Sequence, residues 1–171
     1  MESLSGLLLG MFVSILAGTV VSTSLPVIIH DIGGDQAAFT WVVTATLLTT
    51  AISTPVWGKL ADLFNRKLLI QLALTIFVLA TAAAGFSQDA GTMIAFRAVQ
   101  GIGAGGLAAL SQIIMADIIS PRERGRYMGL FGGIMALGTV GGPLLGGFVT
   151  VAIGWRWNFF VAIPFAIAAI I

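Results

Sequence analysis

Arg97 is the only charged residue in the 27 positions between Asp89 and Asp117. A charged side chain in lipid costs at least about 2.5–3.5 kcal/mol on insertion scales, so one that is kept there usually serves pairing, proton transfer or a substrate path. Near the end of a span it can instead snorkel to the headgroups. Gln100 follows three residues later, on the same face of a helix. The carboxylates are Glu2, Asp31, Asp35, Asp62, Asp89, Asp117 and Glu123, and none falls inside a long apolar run. His30 is the single histidine and there is no cysteine. Thiolate chemistry, disulfides and cysteine-ligated metals are thereby excluded. No paired carboxylates, nucleophile–histidine set or metal-ligand cluster is present, so the expectation is no enzyme, no metal and no cofactor.

Gly101-x-Gly103-x-x-Gly106 matches a dinucleotide-binding fingerprint in form only. A phosphate cradle needs a preceding strand and an exposed helix start, with an acidic residue about 20 positions later. These glycines sit inside an apolar helix, where Gly101, Gly105 and Ala109 make a smooth face for a neighbour.

The elements carrying these residues are membrane spans. The chain is 58% hydrophobic and 9% charged, against about 25% charged in a soluble domain. A hydrocarbon layer of about 30 Å needs roughly 20 apolar residues. Charges divide the sequence into six candidate helices, 7–29, 39–58, 68–86, 92–119, 127–153 and 157–171. An all-α membrane protein of antiparallel neighbours follows. Lys59, Arg66 and Lys67 lie after the second helix, and Arg122, Arg124 and Arg126 after the fourth, whereas the alternate turns hold Asp31, Asp35 and Asp89 with Arg156 as their only basic residue. The positive-inside rule therefore places the amino terminus and the 59–67 and 120–126 turns in the cytoplasm of a multi-pass cell-membrane protein. No cleavable signal peptide is visible. The last run has fifteen residues after Arg156, about 22 Å of helix, so the chain reads as truncated within its sixth helix. The net charge of +1 supplies no nucleic-acid footprint, and the expected surroundings are lipid.

Smaller signals mark the helix ends. Gly58 permits close helix approach, and Asn65 suits a tight left-handed turn. Ser120-Pro121-Arg122-Glu123 reads as a capping box opening the fifth helix. Asp117, at the carboxyl end of the fourth helix, opposes the helix dipole and calls for a cationic partner. In the fifth helix Gly138, Gly142 and Gly146 recur every four residues, with Pro143 and Gly147 beside them. Proline removes one backbone hydrogen bond there and bends the helix. Phe39, Trp41 and Trp157 near helix ends are interfacial anchors.

Three of these strings together resemble the major facilitator superfamily. Gly58, Asp62, Arg66 and Lys67 match its loop signature between helices two and three, although Leu63 stands where a basic residue is common and Asn65 where glycine is usual. Arg97, Gln100 and Gly101 resemble its fourth-helix motif, often linked to proton transfer. Gly138, Gly142, Pro143, Gly146 and Gly147 resemble the antiporter motif of its exporting members. Leu16 to Pro26 resembles the first-helix signature of the fourteen-helix drug–proton antiporter branch, and Trp155-Arg156-Trp157 the start of its sixth helix. That branch usually has aspartate where this chain has Ala17, and asparagine at Ser22.

The resemblance implies the amino-terminal six-helix bundle of a major facilitator fold. It implies proton-coupled efflux of drugs or other small amphipathic molecules by alternating access, with a missing carboxyl-terminal half as partner. Asp62, Arg66 and Asp117 would form a conformational network, with Arg122 or Arg124 as local alternatives for Asp117. Thr19, Ser22, Thr23 and Thr46 are candidate cavity residues. A coupling carboxylate would lie outside this sequence, Asp31 at the outer mouth being the weaker choice. A half-size transporter working as a homodimer or with a separate second half, and a non-transporting membrane remnant, are the alternatives.

Overall fold

The computed structural model describes residues 2–120 and 124–170, with side chains for 8–117, 119–120, 125–161 and 163–164. Six helices follow in order: α1 (Glu2–Asp31), α2 (Gln36–Leu63), α3 (Arg66–Gly85), α4 (Ala90–Ile118), α5 (Arg124–Ala152) and α6 (Trp157–Ile170). The first five are long and apolar enough to cross a membrane. The fold is an all-α membrane bundle. Among the described residues α4 packs on α2 and α3, and α1 packs on α5 and α6. Contacts of α1 with α4 and of α3 with α6 join the two sets. Exchanging the first three helices for the last three therefore maps this pattern onto itself.

Helix ends depart from the expected boundaries because charge limits where a helix meets lipid, not where it stops. The α2 helix runs on through Lys59 and Asp62 to Leu63. Only Phe64 and Asn65 separate it from α3. Asn65 is not left-handed: at φ −63° and ψ 120° it is extended, and its side-chain oxygen accepts from the Lys67 N–H as the amino-terminal cap of α3. The left-handed turns belong to glycine. Gly33, at φ 68°, ends α1 in a Schellman arrangement, with bonds from Gly34 N–H to Ile29 C=O and from Gly33 N–H to His30 C=O. Gly154, at φ 102°, turns the chain between α5 and α6. Pro121 to Glu123 of the expected capping box lie outside the described residues.

At the end opposite Lys59 and Lys67, Asp35 caps α2 through the Ala38 N–H and Asp89 caps α4 through the Thr92 N–H. The Thr92 hydroxyl also donates to Asp89, at 2.6 Å. These donors, the hydroxyl first and the backbone N–H second, hold the exposed Asp89 carboxyl below its ordinary value of 3.8. A lowered folded-state pKa stabilises fully above the ordinary value, and that contribution is lost as pH falls through the lowered one. Asp89→Asn keeps an acceptor but removes the titration. A flatter acid limb in its thermal midpoint against pH, compared with the parent, is the expected result.

Candidate functional site: a polar layer and an ion pair inside the bundle

Two apolar clusters fill the interior. One gathers Val13, Ala17, Trp57, Leu74, Phe77, Leu107 and Leu110 towards the end bearing the α2–α3 turn. The other gathers Val21, Leu25, Val42, Ala84, Met93 and Phe159 towards the opposite end. Along α3, Thr81 falls between Phe77 and Ala84; along α4, Arg97 and Gln100 fall between Met93 and Leu107. These three residues form a polar layer between the two cores.

Arg97 is 5% exposed, so it does not snorkel to an interface. Its guanidinium donates to Gln100 Oε1 at 2.5 Å, Gln100 Nε2 donates to the Thr81 hydroxyl at 2.8 Å, and Thr81 donates to the Phe77 carbonyl at 2.6 Å. The chain thus ends on the α3 backbone. Arg97 Nε has no partner, and no ion pair reaches the guanidinium among the described residues.

Glycine makes this layer possible by removing bulk on two sides of α4. A Cβ on Gly101 would meet the Thr49 hydroxyl and lie 2.5 Å from the Thr46 carbonyl oxygen, whereas one on Gly103 would lie 2.7 Å from Phe77 N and 2.8 Å from Ala73 O. Gly101 and Gly105 therefore seat α2, Gly103 admits α3, and Gly106 lies against both, at Trp57 of α2 and Ala73 of α3. The close approach is sealed by Thr50 Oγ1 on the Gly101 carbonyl at 3.1 Å and Trp57 Nε1 on the Ile102 carbonyl at 2.9 Å. Ala109 is buried in the first core.

The α5 glycines work the same way against α1. Gly138 faces Ile15, Gly142 faces Thr19 and Gly146 faces Val20, while Gly147 has open space and Pro143 is exposed. Thr19 donates to the Gly138 carbonyl at 2.9 Å, so its hydroxyl belongs to a helix crossing and not to a free cavity wall. Thr46 is half-buried beside Gly101 and bonds the Val42 carbonyl. Ser22 and Thr23 are exposed, each bonded to the carbonyl four residues back.

At the α2–α3 turn the structure joins Arg66 to Asp117 in an ion pair, the pairing that the resemblance implies. Asp62 stays outside it, exposed and without a side-chain partner among the described residues. Gly58 has nothing near its Cβ position, and Lys67 is exposed.

Two further features were not anticipated. Asn158 on α6 is buried and donates to Ser24 Oγ on α1 at 2.6 Å and to Thr150 Oγ1 on α5 at 2.7 Å. A lone amide in the apolar run after Trp157 is the signal that sequence offered for it. Asp31 accepts from Trp155 Nε1 at 2.8 Å and pairs with Arg156 at 3.6 Å, with the guanidinium 4.4 Å over the Trp155 ring. Asp31 thus clamps α1 to the start of α6. Ala17 is 1% exposed within the first core, so a carboxylate there would enter apolar surroundings.

Comparison with known proteins agrees with this architecture. A multidrug transporter protein, MdtP, of Bacillus subtilis (strain 168) is 38% identical over 168 residues, covering 98% of this chain and 31% of the relative. The efflux pump dotC of Dothistroma septosporum is 43% identical over 162 residues, covering 95% of this chain and 28% of the relative. This chain thus spans about 30% of the length of such relatives. A bacterial homologue of the human lysosomal transporter Spinster, solved inward-facing and unoccupied, superposes with a TM-score of 0.79. It shares 20% identity over 98% of this chain and 40% of that one, a likeness of fold. The exchange symmetry noted above is the three-helix repeat known for such transporters. With the superfamily's sequence pattern matching residues 7–171, the chain belongs to the major facilitator superfamily.

Proposed function

We propose that this chain is the amino-terminal bundle of a proton-coupled exporter of drugs or other small amphipathic molecules. Substrate binds between it and a second six-helix bundle, and the two rock to open the site to either side of the cell membrane. The observation that carries export is α5, whose antiporter-type Gly138, Gly142 and Gly146 are bedded on Ile15, Thr19 and Val20 of α1. Relatives named as efflux pumps and multidrug transporters support the same direction. The Arg66–Asp117 ion pair, with Asp62 free beside it, is the latch on the cytoplasmic side. It holds one state of the cycle and releases in the other. No reaction is catalysed. The coupling carboxylate belongs to the remainder of the carrier, since Asp31, Asp35 and Asp89 are engaged at helix ends.

A second reading, a half-size protein pairing with another copy, is favoured by α2 and α5. Among the described residues they do not touch one another, and both expose large apolar side chains such as Ile52, Val56, Leu144 and Phe148. Dye efflux from proteoliposomes under an imposed pH gradient separates the readings. The complete carrier is expected to extrude ethidium only with the gradient, and Asp62→Asn to lose at least tenfold in rate. Gradient-independent efflux, or full activity in Asp62→Asn, defeats the coupled-exporter reading. Efflux by this chain reconstituted alone establishes the half-size one.

A further inference from the structure

Prolines interrupt the backbone ladder inside four helices, at Pro26 in α1, Pro55 in α2, Pro143 in α5 and Pro164 in α6. A proline has no N–H, so the carbonyl four residues before it loses its helical donor. Those carbonyls belong to Ser22, Ala51, Thr139 and Phe160. Among the described residues no side chain donates to any of them, although hydroxyls reach other carbonyls of α1, α2 and α5, at Gly18, Thr50 and Gly146. At membrane depth such a group is tolerated where it is buried in protein or lines a water-filled path.

Three of the four share one face. Ser22 and Pro26, Ala51 and Pro55, and Thr139 and Pro143 are all exposed. The α1 helix touches both α2 and α5, which do not touch one another among the described residues, so the bundle is open between them in front of α1. On α5, Thr139 and Pro143 lie about 100° round from Gly138 and Gly142, which face α1. On α2, Ala51 and Pro55 each lie about 160° round from Ser53, which reaches the Ile102 carbonyl of α4. With α1 and α5 running one way and α2 the other, these rotations turn all three carbonyls to the open side. At 1.5 Å per residue they sit about 14, 22 and 20 Å from the helix ends at Asp31, Gln36 and Ala152. They make a short ladder of acceptors in the middle of the membrane.

The α1 part of this face is polar, with Ser22, Thr23 and His30 exposed. The Ser22 and Thr23 hydroxyls have given their hydrogens to the Gly18 and Thr19 carbonyls. They too offer lone pairs only.

We propose that the proline-freed carbonyls of Ser22, Ala51 and Thr139 form a recognition track for N–H donors of small amphipathic substrates, protonated amines above all. The inference deepens the reading of this chain as half of an exporter, and rests on it for the path along this face. A carbonyl accepts from an amine N–H, whereas a quaternary nitrogen of the same charge brings no donor. Selection therefore falls on donor number and not on charge.

The test is calorimetric titration of the complete carrier in detergent with 4-phenylbutylammonium and with its N,N,N-trimethyl analogue. The primary amine is expected to bind about tenfold tighter, the yield of one hydrogen bond from a charged donor. Pro26→Ala, Pro55→Ala and Pro143→Ala combined return an N–H to each carbonyl and should bring the ratio close to one by weakening the amine alone. Pro164→Ala should leave the ratio unchanged, because α6 packs on α1 and α3, with Phe160 against Phe86. Thermal midpoints near the parent's verify the fold of each variant, and the comparison of the two ligands on the parent needs no variant. Equal affinity of the two ligands, no binding of either, or a ratio that survives the triple substitution overturns the proposal. Efflux of both ions at equal rates from proteoliposomes would overturn it too, while leaving export intact. A tenfold preference in binding without any efflux defeats export and leaves the track standing as a binding site.

Discussion

Gln100→Leu is expected to destabilise the bundle by about 2–3 kcal/mol, and Arg97→Leu by much less, although only the second removes a charge. The reason is the asymmetry of buried polar groups. Gln100 is the acceptor for the Arg97 guanidinium and the donor to Thr81. Without it a cation that is 5% exposed loses the one acceptor found for it among the described residues. Truncating one partner leaves the other buried and uncompensated, whereas removing the charge itself is often neutral or stabilising. The double variant should therefore recover most of the loss, a coupling readable as a double-mutant cycle. Thermal denaturation in one detergent measures all three. The idea fails should Arg97→Leu prove the more damaging single change. On the proposed function, Arg97→Leu in the complete carrier should nevertheless abolish efflux, a readout independent of the stability measurement.

Gly103→Val should cost about 3 kcal/mol, the upper end for overpacking, and pull α3 from α4. Its Cβ would fall on the backbone of α3, at Phe77 N and Ala73 O, and backbone cannot rotate away as a side-chain tip can. Gly129→Ala on α5 meets nothing within 4 Å and should change stability by less than about 1 kcal/mol. The measurement is the midpoint of thermal unfolding for the pair. Similar midpoints would mean that the α3–α4 seam yields, contrary to the packing described.

What the sequence made legible follows from where lipid and charge conflict. Long uncharged runs forced the spans, and the basic turns punctuated them. The unfavourable dipole at Asp117 called for a cation, and Arg66 meets it. Glycine spacing announced close helix contacts, but not which neighbour each glycine admits. Gly101 and Gly103 lie two residues apart and serve different helices, which a period of four does not distinguish. Other features were hidden by sequence distance. Ser24 and Asn158 are separated by 134 positions, and Asp31 meets Trp155 across 124, so no local pattern links either pair. Asp35 and Asp89 served as topology markers when read in sequence, and the fold adds their use as caps. Thr19 looked like a cavity hydroxyl because its bond to the Gly138 carbonyl spans 119 positions.

The junction of α1, α5 and α6 has one last implication. Asn158 spends both amide hydrogens on Ser24 and Thr150, and each hydroxyl reaches a carbonyl of its own helix, Val20 and Gly146. A Grotthuss wire needs members that can each pass a proton on and then reset. An amide does not ionise at physiological pH, and a peptide carbonyl is a dead end for a migrating hydrogen. With only an amide and two hydroxyls, which lie 2.8 Å from one another, this seam braces three helices and holds no side chain that takes up and releases a proton at physiological pH.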